Sequence, residues 1–463
     1  MQHIAFIAMS GVRAASEELN RAGLTMPGFL ERSRAIASLP SLSLLTLAAL
    51  TPDSFEISYH EIEDIRTAGE PPVCDIAAIA SYSAQMKDAY VLADRYRALG
   101  VRTVLGGLHV TARPDEALDH ADAIVVGEGE LGWPDLLVDL ARGKLQRVYG
   151  PHGREFDLAD APMPRFDLLD IARYNRLTVQ TQRGCPWRCE FCAASIRLTN
   201  RYKVKPVEKV LAEIHEIKRL WPVPFIEFAD DNSFVNRRHS KELLRAMVGE
   251  DVRWFTETDI AIADDPELLA LMHASGCAEV LIGLESPTAS GVDGVELRRN
   301  WKLSRFGGYA DAIARIQGHG IAVNGCFVLG LDGDGPGVFE AIEAFVRRSG
   351  QFDVQITVMT PFPGTPLYDR LLAQGRLLEP TAWERCSLFD VNFRPLGMSP
   401  EHLQAEALEL GRRLYTEEER TARRRRFHDQ RRAFLREERR ARKAREALQT
   451  EGSRESEEAR VLV

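Results

Sequence analysis

Arg183-Gly184-Cys185-Pro186-Trp187-Arg188-Cys189-Glu190-Phe191-Cys192 is the stretch from which the rest of the chain is read. Three of the seven cysteines fall within its last eight positions, spaced C-x3-C-x2-C. Thiols this close on one short segment point to a metal centre in a reducing compartment rather than to a disulfide framework. A structural zinc ion wants four protein ligands, and the nearest further candidate in sequence is His215. A [4Fe–4S] cluster can instead be held by three thiolates with one iron left open to a small molecule. The segment follows an apolar strand pattern and opens a series of βα units, where a barrel places its active site. The cluster reading is therefore preferred over zinc.

Downstream of the cysteines, strand patterns are expected at Thr178–Gln182, Phe225–Ala229, Arg253–Thr258, Glu279–Leu284, Ala322–Leu329 and Asp353–Met359. Helical stretches such as Val207–Leu220 and Ser240–Val248 separate them. Six βα units predict an open (β/α)6 barrel over residues 175–395. Five successive strand ends are polar or glycine-rich: Asp230-Asp231-Asn232, Glu257-Thr258-Asp259, Gly283-Leu284-Glu285-Ser286, Gly330-Leu331-Asp332-Gly333 and Thr360–Thr365. Carboxylates and glycines at every carboxyl end suit a ligand-filled face. The competing reading makes these acids helix caps, which accounts for single residues better than for the whole set.

Upstream, residues 1–150 alternate apolar strands at His3–Ala8, Phe55–Tyr59, Asp75–Ser81, Thr103–Gly106 and Ala123–Val126 with helical patterns at Met86–Leu99 and Leu131–Ala141. That alternation predicts a flavodoxin-like, doubly wound α/β domain binding its ligand at the strand carboxyl ends. Residues 151–174, with Ala161-Pro162-Met163-Pro164, read as a linker.

The cysteine spacing, with Phe191 at the aromatic position before Cys192, resembles the signature of the radical S-adenosylmethionine (SAM) superfamily. The resemblance implies a [4Fe–4S] cluster on Cys185, Cys189 and Cys192. It further implies SAM chelated at the open iron through its amino and carboxylate groups, and one-electron cleavage to methionine and a 5′-deoxyadenosyl radical. It puts Asp230, Asp231 and Asn232 where the superfamily receives the SAM amino group, although a Gly-Gly-Glu stretch is commoner there. Glu285 falls at a ribose- or methionine-contacting position, and Gly330 on the adenine side. An external flavodoxin- or ferredoxin-type electron donor and a small-molecule substrate are also implied.

Gly106-Gly107-Leu108-His109-Val110-Thr111 and Gly127-Glu128-Gly129-Glu130 resemble stretches of the cobalamin-binding domain that precedes many radical SAM cores. The resemblance spans roughly residues 1–390. It implies a corrinoid near Gly106, Gly107, His109, Gly127, Glu128 and Gly129, and chemistry like that of the class B methyltransferases. The D-x-H-x-x-G motif, which supplies a cobalt-ligating histidine in other cobalamin proteins, is absent. Many relatives also lack it. The alternatives are a radical SAM oxidoreductase, cyclase or rearrangement enzyme without methyl transfer, and a non-enzymatic cluster-bearing sensor or corrinoid carrier. Methylthiotransferases carry three further cysteines in the first domain; here that domain holds only Cys74. Cys277, Cys326 and Cys386 have no C-x-x-C spacing, and the first two read as core thiols. The run Trp383–Phe393 reads as core before pocket lining.

The formal charge of −9 gives no reason to expect nucleic acid as the main partner. Residues 396–463 predict a helical extension. Pro400–Tyr415 is amphipathic, and residues 417–448 hold 13 Arg/Lys against 7 Asp/Glu. Interleaved acids favour a solvated helix with i,i+4 pairs, and the last fifteen residues read as disordered. No apolar run approaches the roughly 20 residues of a spanning helix, and Met1–Gly11 lacks the pattern of a signal peptide. A cytoplasmic enzyme is expected.

Overall fold

The computed structural model describes residues 1–12, 14–22, 39–193, 201–436 and 439–440. Two six-stranded parallel sheets account for most of it. The first contains β1 (Gln2–Met9), β2 (Phe55–Ile62), β3 (Ile76–Ser81), β4 (Arg102–Gly106), β5 (Ala123–Val125) and β6 (Val148–Tyr149), in the order β2-β1-β3-β4-β5-β6. This is the expected doubly wound order with one more edge strand, contributed by Val148–Tyr149. Its central strands read Ile-Ala-Phe-Ile-Ala-Met and Ile-Ala-Ala-Ile-Ala because both faces are covered. Leu44, Ala48 and Trp133 pack on one face, and Met86, Tyr90 and Val110 on the other.

The second sheet is an open barrel: β7 (Leu177–Val179), β10 (Phe225–Ser233), β11 (Arg253–Thr258), β12 (Cys277–Glu285), β13 (Ala322–Leu329) and β14 (Asp353–Val358). Between β7 and β10 a separate hairpin pairs β8 (Gln182–Arg183) with β9 (Lys203–Val204). The strand expected at Thr178–Gln182 is thus broken after Val179. The Asp230 carboxylate accepts the N–H groups of Thr181 (2.8 Å) and Gln182 (3.0 Å) and turns the chain out of the sheet.

The barrel strands follow period two rather than the apolar run of the first sheet. Ile226, Phe228, Trp254, Val280, Ile282, Val354 and Ile356 face the helices and are buried in the main core. The alternate positions Glu227, Glu257 and Gln355 line the interior. A barrel filled only for stability would carry branched aliphatics there.

The segment 151–174 holds three short turns, Leu158–Asp160, Phe166–Leu168 and Ile171–Arg173, and buries Phe156, Leu158 and Phe166. The Arg-rich extension departs from the expected solvated helix. Residues 417–436 are helical but docked, with Arg423 and Phe427 buried. Arg423 donates to the Leu414 carbonyl (2.8 Å) and meets the buried Asp353 (3.4 Å) at the amino end of β14, while Phe427 packs on Phe352. The residues from 441 onward, including the tail read as disordered, lie outside the described residues. No helix among the described residues is long and apolar enough to cross a membrane.

Removing Arg423 leaves Asp353 without its most buried partner. Arg423→Gln is expected to cost about 3 kcal/mol, read as a lowered urea midpoint by circular dichroism. The exposed neighbour substitution Arg425→Gln should stay within about 0.5 kcal/mol of the parent. Equal effects would mean that the docked helix contributes nothing through this pair.

Candidate functional site

The cysteine loop leaves β8 and is held from three sides. Behind it, the Asp231 carboxylate accepts the Gly184 N–H (2.9 Å), and the Asn232 amide lies 3.6 Å from the Cys185 sulfur. Asn232 also donates to Asp259 (3.0 Å), which accepts the Trp187 indole N–H (2.9 Å). Beside it, the Glu296 carboxylate accepts the N–H groups of Arg188 (3.2 Å), Arg298 (3.1 Å) and Arg299 (2.8 Å), and Trp187 stacks on Trp301 at 4.5 Å. On the third side Glu190 takes a two-pronged contact from Arg370 (2.6 and 3.0 Å), which reaches on to Asp332 (2.6 Å). Glu296, Trp301, Lys302 and Arg370 were not singled out in the sequence. Glu296, Trp301 and Arg370 meet the cysteine loop across more than a hundred residues, and Lys302 meets Glu285 from beyond the end of β12, so no local pattern marks them.

The three thiols are half-buried, and none forms a disulfide among the described residues. Burial pushes the Cys185 thiol up to about 11 and the Cys189 thiol to about 12. Among the described residues no group of His, Cys, Asp and Glu converges on one ion, as zinc requires. A cubane makes a different demand, because each thiolate meets its own iron. Three thiols on one loop, with the Asn232 amide against one sulfur and the Lys302 ammonium near Cys189, suit that donor set.

The other candidate residues separate into two groups. Glu285 ends β12 with φ at +64°, in the sparsely allowed left-handed region. Its carboxylate is 2.9 Å from the Lys302 ammonium, which also donates to the Gly283 carbonyl (2.5 Å). A side chain at Gly283 would lie 2.5 Å from the Glu285 carboxylate, so glycine there makes room for the pair. Glu285, Asp231 and Asn232 thus gather around the loop, with Phe191 half-buried against the core. Asp230 and Gly330 answer to packing instead. Asp230 is buried among Thr181, Gln182 and Ser233. The space above Gly330 is filled by Phe393 and Leu403. The run Trp383–Phe393 divides between the two readings: Phe393 is fully buried, while Cys386, Ser387 and Leu388 line a cavity.

A cavity of about 700 Å³ lies between the two sheets. The first domain lines it with strand-end segments: Ala78–Ser83, Gly106–Leu108 and Gly127–Glu130. The barrel lines it with Gln180, Arg183, Glu227, Glu257 and Gln355, and the segment after the barrel with Cys386–Leu388. Gly107 (φ +109°) and Gly127 (φ +71°) bend the backbone away at two strand ends, leaving main chain as the wall. Gly106, Gly107, Gly127, Glu128 and Gly129 all reach the cavity. His109 does not. It is buried on the other side of its loop, 3.2 Å from the Ser83 hydroxyl and edge-on to Trp383. Gln355, buried with its amide oxygen unpartnered by protein, lines the cavity.

The fold and the loop together define a class: a doubly wound domain set before an open barrel, with a three-thiol loop at the barrel's first strand. Residues 179–346 match the sequence profile of the Radical SAM superfamily. Over those residues the chain carries a radical SAM domain. It is 28% identical over 390 residues to bacteriochlorophyllide d C-12(1)-methyltransferase of Chlorobaculum tepidum, covering 82% of this chain and 83% of that one. It is 27% identical over 354 residues to hopanoid C-2 methylase of Rhodopseudomonas palustris, covering 74% and 66%. Among solved structures, the radical SAM methyltransferase TsrM from Kitasatospora setae, with cobalamin and a [4Fe–4S] cluster bound, superposes with a TM-score of 0.65. There the identity is 15%, over 90% of this chain and 89% of that one, which bears on the fold alone.

Glu257 is open to the cavity yet walled by protein. Burial, then the nearby Glu227 and Asp231, push its acid from 4.5 up to about 7. The fold therefore prefers the neutral acid. That contribution is complete below the ordinary glutamate range and is lost as pH rises through 7. Glu257→Gln should match the parent's melting temperature near pH 4.5 and exceed it only slightly in mild alkali, because the side chain stays accessible to cavity solvent. A gap that stays constant with pH would contradict the assignment.

Proposed function

We propose that this protein is a cobalamin-dependent radical SAM methyltransferase acting on a small or medium organic substrate. The observation that carries the reading is the cavity shared by two carboxyl-end faces, one glycine-walled and one lined by Arg183 and Ala193, which flank the cysteine loop. Its size falls in the range of small-molecule sites. The backbone at Gly106, Gly107, Gly127 and Gly129 leaves room for a bulky cofactor.

Cys185, Cys189 and Cys192 would hold the cluster, and the first-domain loops the corrinoid. Bound there, the cluster supplies the electron that cleaves SAM and the corrinoid supplies a methyl carrier, with the radical chemistry belonging to the cofactors. The chain's own residues orient and shield. Asp231, Asn232 and the Glu296 carboxylate fix the loop that presents the thiolates. Glu285 and Lys302 offer a carboxylate and an ammonium side by side, suited to the amino and carboxylate ends of SAM. Phe255 and Leu281 keep part of the cavity wall apolar and limit water around a reactive radical. No histidine lines the cavity among the described residues, and His109 is withdrawn from the proposed ligand set. A flavodoxin- or ferredoxin-type protein would supply the electron, in the cytoplasm.

Anaerobic protein supplied with SAM and a strong reductant should release 5′-deoxyadenosine, and the product should exceed its substrate by one CH2 unit. Cys189→Ala should abolish 5′-deoxyadenosine formation. Retained cleavage in that variant would overturn the cluster assignment, and a product without the added carbon would overturn methyl transfer.

A further inference from the structure

We propose that Arg183 is a positioning residue that ties the cysteine loop to the first domain, so that SAM binding at the cluster depends on contacts made by Glu128 and Glu130. Arg183 closes β8, two residues before Cys185. Its guanidinium donates to Glu128 (2.9 Å), to Glu130 (2.6 Å) and to the Gln180 side-chain oxygen (3.0 Å). Lys203, which pairs with Arg183 across the β8–β9 hairpin, donates to both Glu128 oxygens (2.8 and 2.9 Å) and to the Phe156 carbonyl (2.8 Å). Two acids from one domain therefore meet two bases from the other.

All four side chains are largely shut off from solvent: Arg183 is 12% exposed, Lys203 13%, Glu128 6% and Glu130 10%. A buried fork is sensitive to geometry, because each charge has given up water for its partners. Two carboxylates at one helix start, the N-cap Glu128 and the first-turn Glu130, set the plane of the guanidinium. On the far side of the same backbone the Asp231 carboxylate holds the Gly184 N–H (2.9 Å). The approach to Cys185 is thus gripped from both domains.

Gln180, Arg183, Glu128 and Glu130 also line the cavity. A ligand seated there packs against the grip and stiffens it, and by linkage SAM binding tightens that ligand equally. This second half rests on the corrinoid reading above; the first half does not.

The test uses full-length protein with a reconstituted cluster. SAM affinity is measured by equilibrium dialysis, and the electron paramagnetic resonance spectrum of the reduced cluster is recorded with and without SAM. Without corrinoid, Arg183→Gln and Glu130→Gln should each weaken SAM binding, on the order of ten-fold, and shift the SAM-bound spectrum while iron content holds. The double variant should be no worse than Arg183→Gln alone, and Arg183→Lys should recover part of the affinity. Should Arg183→Gln fail to hold iron, Glu130→Gln, which lies in the other domain, decides. Parent-like affinity and spectrum in Glu130→Gln would overturn the proposal. In a second arm, saturating hydroxocobalamin should tighten SAM binding in the parent and not in Glu130→Gln. Equal tightening in both would overturn the coupling. A parent that binds no hydroxocobalamin would overturn the corrinoid reading and leave the first arm to judge Arg183.

Discussion

Three thiols on a loop with little regular structure must meet three irons of one rigid cube, and the loop cannot fix that geometry alone. The surrounding structure does so. Asp231 and Asn232 hold its start, Glu296 holds its middle through the Arg188 N–H, and Arg370 pins Glu190 near its end. Each anchor comes from a different strand end or following segment of the open barrel. The barrel is therefore the frame that fixes a short cysteine loop, and its polar interior follows from having a ligand inside rather than a core.

The first domain adds a second wall. Its strand ends and the barrel interior face one cavity of about 700 Å³. A four-charge contact among Glu128, Glu130, Arg183 and Lys203 joins them beside the loop. Two faces on one shared cavity suit chemistry in which a radical and a carbon donor must reach the same substrate atom. Glu257, neutral-leaning and open to this space, and Gln355, with an unpartnered oxygen, give the barrel side hydrogen-bonding capacity that packing does not explain.

Much of this was legible in the sequence because it is local. The cysteine spacing, the apolar runs of β1 and β3, the two-residue alternation in the barrel strands and the glycine pairs after β4 and β5 are all short-range signals. The order of the first sheet follows from them together with the rules for doubly wound folds. What was illegible is long-range. Nothing near Glu296 or Arg370 announces a partner in the loop, and nothing near Arg423 announces Asp353. Residues whose surroundings come from elsewhere are also hard to read locally. His109 sits in a glycine-rich ligand loop yet turns to Ser83 and Trp383. Gly330 stands at a strand end yet yields its space to Phe393 and Leu403. Asp230 looks like a free strand-end acid but is held by Thr181, Gln182 and Ser233.

The central claim is that one chain holds a four-iron cluster and a corrinoid across a common cavity. It is tested most directly by cobalt and iron content after anaerobic reconstitution with iron, sulfide and hydroxocobalamin, followed by gel filtration. The account predicts about one cobalt beside about four irons per chain, with the cobalt retained through the column. A full complement of iron with no retained cobalt would contradict it and leave a radical SAM enzyme whose first domain serves another purpose.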